Sequence, residues 1–222
     1  MFKEIIAVWK RDNFLSGILA DFISMLENDL WMFENAISVL KDEGIATAIK
    51  EELYSRDRNV NQKEQQIRKH LVEHLAINPR EDFVACLVFM SVVKDAERIG
   101  DYSKNIFELS AITSSKLDDD FAYLIMSLTK KVKEDLEKVI FAFKDSDKEE
   151  ARAVMIRHKD ISSNVESLIR SLALRKEFPS DKVVVYTLSL RYLKRVSSHT
   201  ANVASAIVNP LEKIDFAVEG NF

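Results

Sequence analysis

Apolar residues recur along this chain at alternating three- and four-residue intervals, the period of a helix that buries one face. Breakers divide the pattern into six long helices. The first is predicted from about Ser16 to Asp42, ending at Gly44. The second runs from about Ala46 to Ile77 and stops at Asn78-Pro79. The third follows Pro79 and ends near Thr113, at the Thr113-Ser114-Ser115 break. The fourth covers roughly Asp118 to Lys144, with Asp118, Asp119 and Asp120 at the positive end of its dipole. The fifth spans about Lys148 to Lys176, before Pro179, and the sixth begins near Ser180 and fades at Asn209-Pro210. Short links between long helices make sequential neighbours antiparallel.

Polar residues interrupt two of the apolar seams. The second helix reads Leu53, Asp57, Val60, Glu64, Ile67, Leu71, with Asn61 one turn from Asp57. In the third, the spacing of Phe83, Leu87 and Met90 extends through Lys94 to Glu97 and Asp101. Residues four apart share a helix face, so Glu97, Asp101 and Asn105 form a ladder of oxygen ligands. Burying like charges costs several kcal/mol unless something compensates. Either that face is solvated or a cation sits on it. The six residues Asp57, Asn61, Glu64, Glu97, Asp101 and Asn105 all offer oxygen, which suits magnesium, calcium, manganese or ferric iron better than a closed sulfur–nitrogen zinc site. Gly100 beside Asp101 fits a close helix approach, because a mid-helix glycine costs about 1 kcal/mol. Asp95 is rotated off the ladder, and Arg98 is expected to point away from it.

The chain repeats itself. Arg98, Ile99, Asn105 and Ile106 correspond at constant offset to Arg195, Val196, Asn202 and Val203, and Asp57 and Asn61 correspond to Asp160 and Asn164. Each half holds three helices, so the expected architecture is all-α, two tandem three-helix bundles over residues 1–114 and 115–222.

Composition narrows the function. With 222 residues and 47% hydrophobic content the chain can bury a proper core, and 4 Gly with 3 Pro favour helices. A net charge of -4 argues against nucleic acid as the main partner. One cysteine, Cys86, excludes an internal disulfide, fits a reducing compartment and reads as a packed, inert thiol. The start lacks a signal-peptide pattern, and the longest apolar run, Phe83 to Val93, is too short to span a bilayer. These features predict a soluble, cytoplasmic protein, peripheral to a membrane at most.

These residues together resemble the PhoU family of phosphate-uptake regulators. Glu97, Asp101 and Asn105 match its E-x-x-x-D-x-x-x-N signature, Asp57 and Asn61 its D-x-x-x-[DN] element, and Arg191, Tyr192, Leu193 and Arg195 its Arg-Tyr-Leu-x-Arg string. The resemblance covers roughly residues 15–208. It implies a cytoplasmic, often oligomeric protein of two three-helix bundles whose carboxylate faces carry iron, zinc, magnesium or manganese. It implies regulation of phosphate uptake through a phosphate transporter component or a phosphate-sensing histidine kinase. The second half departs from the pattern: Lys194 and Ser198 replace the glutamate and aspartate, leaving Asn202 with Asp160 and Asn164. Charged lysine cannot ligate a cation, so this second site is expected to be degenerate, with Lys194 paired to Asp160.

Other chemistries find less support. His70 and His74 fit the H-x-x-E-H zinc-protease pattern but lack context for a further acidic ligand or a cleft. No histidine follows a glutamate by three residues, which disfavours a ferritin-like oxidase. His158 and His199 are either supporting groups near the second cluster or ordinary hydrogen-bonded histidines. Lys130, Lys131, Lys133 and Lys138 mark a solvated or docking face on the fourth helix. Three functions therefore stand: a metal-binding regulatory adaptor, a di-metal enzyme acting on phosphate compounds, and a metal-free helical scaffold.

Overall fold

A computed structural model describes residues 2, 3, 6, 13–77, 82–112 and 117–215. The described residues form α1 (Asn13–Lys41), α2 (Ala46–Ile77), α3 (Phe83–Glu108), α4 (Asp120–Asp145), α5 (Lys148–Leu172) and α6 (Ser180–Val208), and contain no strand. The expected boundary at residues 114 and 115, the Thr113-Ser114-Ser115 break and the Asn78-Pro79 stop lie outside the described residues.

Local chemistry sets the ends. Asp119 caps α4 by accepting from the Ala122 N–H at 2.9 Å, and Asp147 caps α5 through Glu149 and Glu150. α4 ends at Ser146, whose φ of 57° reverses the chain. α3 stops earlier than expected. Its last turn tightens into the 3-10 segment Leu109–Ala111 as Ser110 Oγ donates to the Phe107 carbonyl at 2.9 Å. α5 also ends early, and the chain beyond it places Phe178 against Phe121 and Tyr186.

α1 packs on α2 and α3, and α6 packs on α4 and α5, giving two three-helix bundles in tandem. α3 also lies along α6, and α1 touches α4, so the halves share an interior. Phe22 of α1, Phe89 of α3 and Phe143 of α4 meet there, with ring centroids 4.8 to 5.7 Å apart. Cys86 is fully buried, and burial pushes its thiol up to about 11, as expected of an inert packing residue. Among the described residues no helix is long and apolar enough to cross a membrane.

The apolar seam of α3 is not the one that spacing suggested. Phe83 is 51% exposed, and the buried line runs through Phe89, Val92, Ala96, Ile99, Ser103 and Ile106. α3 is covered by α1, α2 and α6, so its buried arc is wide and centred on small and branched residues. Glu97 and Asp101 consequently lie half-buried on the flank of that arc, not at its centre.

Candidate functional site

The α2 seam is buried as its spacing predicts, with Leu53, Asp57, Val60, Ile67 and Leu71 inside and Glu64 half-buried. The mid-section of α2 faces that of α3, and Asp57, Glu97 and Asp101 form one acidic neighbourhood. Lys104, from the next turn of α3, occupies it. Its ammonium donates to Asp57 Oδ1 at 2.8 Å and to Asp101 Oδ1 at 3.4 Å. Arg98 lies 3.5 Å from Glu97 and 3.4 Å from Asp101, so it turns toward the ladder rather than away from it. Burial first, then the Asp101 charge, raises the Glu97 carboxyl above its usual range, against the opposing pull of Arg98.

A fourth carboxylate completes the neighbourhood. Asp29 of α1 is 0% exposed, and neither of its oxygens has a hydrogen-bond partner among the described residues. Burial, then the charges of Glu97, Asp57 and Asp101, push its carboxyl well above the ordinary range. The sequence carried a signal for it. Leu15, Phe22, Asp29 and Ala36 lie seven apart, and Ile18, Met25, Met32 and Val39 fill the alternate positions of the same seam. An aspartate in that row is anomalous, and reading only the second and third helices passed over it.

The six expected ligands do not all converge. Asp57 and Asp101 are tied through Lys104, and Glu64 pairs with Arg68 on its own helix at 3.1 Å while its charge still reaches Glu97. Asn61 and Asn105 are half-buried beside them on α2 and α3. Among the described residues, no group of three or more His, Cys, Asp or Glu side chains is arranged to hold a metal ion. The donor chemistry and the orphaned Asp29 oxygens suit a hard cation, but the Lys104 ammonium already pairs with Asp57 and Asp101.

The second cluster is dispersed. Asp160 and Asn164 are exposed on α5. Lys194 donates to Glu166 at 2.6 Å, correcting the expected pairing with Asp160: Glu166 projects from α5 within reach, where it holds Lys194 and approaches Arg191 at 3.6 Å. Ser198 is half-buried beside a small hollow, and Asn202 donates to Asp95 Oδ1 of the first half at 2.8 Å. His199 meets the same oxygen at 2.8 Å, and His158 meets Ser197 at 2.9 Å, so both are hydrogen-bonded histidines. His74 bonds to Asp82 at 2.9 Å and stacks on Phe14, which His70 meets edge-on. This pair clamps a phenylalanine. Lys133 of the α4 basic face bridges to Glu34 of α1 at 2.7 Å.

Gly100 is explained by the buried acid. A β-carbon at Gly100 would lie 2.8 Å from Asp29 Oδ1, and the short, enclosed aspartate has little room to retreat. Gly100→Ala should therefore destabilise the protein when Asp29 is present, by about 1–2 kcal/mol after its helix-propensity gain. In an Asp29→Ala background the same change should stabilise by up to about 1 kcal/mol. A double-mutant cycle by urea denaturation reads the coupling, and additive effects would refute the contact.

Comparison with known proteins adds identity to geometry. The sequence profile of the PhoU domain matches residues 22–110 and again 125–207. The fold is similar to the crystal structure of PhoU from Pseudomonas aeruginosa, at TM-score 0.78 and 20% identity over 87% of this chain and 95% of that one. It is also similar to the phosphate transport system regulatory protein PhoU from Streptococcus pneumoniae, at TM-score 0.75 and 19% identity over 86% and 92% of the two chains. Curated protein sequences give no match.

Proposed function

Because this chain belongs to the PhoU family, we propose that it is a cytoplasmic regulator of phosphate transport that works by protein contact and not by catalysis. A protein of similar fold, PhoU from Streptococcus pneumoniae, is a phosphate transport system regulatory protein, which supports that reading. The partner is a phosphate transporter component or a phosphate-sensing histidine kinase. The observation that carries a switching role is the Lys104 ammonium held between Asp57 and Asp101, beside the unpartnered Asp29. A site so arranged exchanges one positive charge for another. Asp57, Asp101 and Glu97 would hold a hard divalent or trivalent cation, with Asp29, Asn61, Glu64 and Asn105 as further candidate oxygen donors. When bound, it would supply the charge that holds α2 against α3.

Three measurements test this. A tagged chain recovered from cells grown at low and at high phosphate should bring down a transporter or kinase component, in amounts that differ between the two conditions. Recovery of neither component would defeat the regulatory reading. Elemental analysis after equilibration with iron, manganese, zinc or magnesium should find bound metal that Asp101→Ala removes. Unchanged metal content in the variant would defeat the cation site, and steady turnover of phosphomonoesters by the purified protein would favour an enzyme.

A further inference from the structure

Beside the carboxylate ladder of α3, Met90, Lys94, Arg98 and Tyr102 follow one another four residues apart. Across from them Arg195 and His199, also four apart, project from α6. Together they line a cleft of about 430 Å³ where the two bundles meet. Three cationic side chains around one cleft run against the chain's net charge of -4.

Among the described residues, neither carboxylate of the cleft, Asp95 or Asp215, is ion-paired with Lys94, Arg98 or Arg195. Asp95 Oδ1 is engaged by His199 and by Asn202, each at 2.8 Å. Asp215 is exposed; partial desolvation, then the Asp95 charge, pushes its carboxyl up against the opposing effect of His199. Neither Lys94 nor Arg195 has an ion-pair partner among the described residues. Arg98 makes only the long contacts to Glu97 and Asp101, and its side chain is 43% exposed. Two guanidinium groups from opposite helices thus share a cleft with an ammonium and a phenol. Guanidinium forks bind oxyanions in pairs of hydrogen bonds, lysine adds a point charge, and tyrosine donates one hydroxyl. Donors from several directions suit a tetrahedral dianion better than a planar carboxylate.

We propose that this interbundle cleft is an anion site for a phosphoryl group, free or carried by a small molecule, held by Lys94, Arg98 and Arg195 with the Tyr102 hydroxyl. The proposal does not depend on the cation site or on the partner named above.

Isothermal titration of the full chain, in EDTA and at constant ionic strength, uses potassium phosphate and ATP as probes and succinate as the carboxylate control. One-site saturation by phosphate identifies the free ion, and saturation by ATP alone identifies a carried phosphoryl group. In either case Arg195→Glu and Lys94→Glu should each weaken binding about tenfold or more, and Arg195→Lys should weaken it less. Both positions are solvent-exposed, and circular dichroism checks that the variants fold. Failure of both probes to saturate by about 10 mM would overturn the proposal, as would equal binding of succinate or affinity that neither charge reversal changes.

Discussion

Asp29→Asn raises the stability of the EDTA-treated protein at neutral pH by about 2 kcal/mol, because it removes an ionisable carboxyl whose charge would have no compensating partner. For a chain of this length that is a rise in Tm of about 5 °C. Asp29 is fully enclosed, its oxygens are unpartnered among the described residues, and its nearest charges are the carboxylates of Glu97, Asp57 and Asp101. Its folded-state proton affinity is raised, which fixes the sign of the pH dependence. Below the ordinary value of 3.8 both the folded and unfolded chains hold the proton, and the residue carries no linked penalty. As pH rises above that value, the unfolded chain releases its proton while the folded chain keeps it or bears a buried charge, so wild-type stability falls. The advantage of Asp29→Asn should therefore grow from acid toward neutral pH and level off once the folded carboxyl ionises. Urea denaturation of both proteins at several pH values measures it. A variant less stable than wild type in EDTA would mean that Asp29 has a favourable partner after all.

Lys104→Met acts in the opposite direction. It keeps much of the side-chain length but removes the ammonium that Asp57 and Asp101 share. Losing one partner of a fully buried pair costs about 3–5 kcal/mol. The Lys104 and Asp101 side chains are 21% and 28% exposed, so solvent screening reduces the expected cost to about 1–3 kcal/mol. The Lys104 pKa is raised: its bonds and charge attraction to Asp57 and Asp101 outweigh the opposing effect of burial. Its contribution is therefore complete below the ordinary lysine value of 10.5 and disappears as pH climbs through the folded value. At neutral pH the loss in Lys104→Met should be independent of pH. The variant also opens the space between two carboxylates, so manganese or magnesium should raise its Tm more than that of wild type. Equal responses to the cation in the two proteins would separate Lys104 from any cation site.

Much of the fold was written in spacing and breakers. α2 runs over the residues its pattern marks out, and α4 to α6 begin at or within two residues of the predicted starts, since capping acids and Pro179 act locally. The ends of α3 and α5 were less legible, because a hydroxyl bonded back to the chain and an aromatic anchor decide them, and both depend on tertiary surroundings. The α3 seam was misread for the same reason: which stripe is buried depends on how many neighbours a helix has, and α3 has three. In the site, the acidic positions of α2 and α3 could be read from the sequence, but their internal cation could not. Lys104 lies one turn beyond Asp101, where charged residues commonly meet solvent, and only the approach of Asp57 makes it a bridging ion.

Asp95 gives the duplicated architecture a single fate. It belongs to the first repeat, yet its Oδ1 is held by both His199 and Asn202 of the second. Asn202 occupies the place that Asn105 holds in the first copy, so one duplicate's ligand-like amide has become a clasp. The copies are consequently no longer interchangeable modules. The central helices α3 and α6 are thereby fastened side by side, each lobe anchored on a residue of its twin.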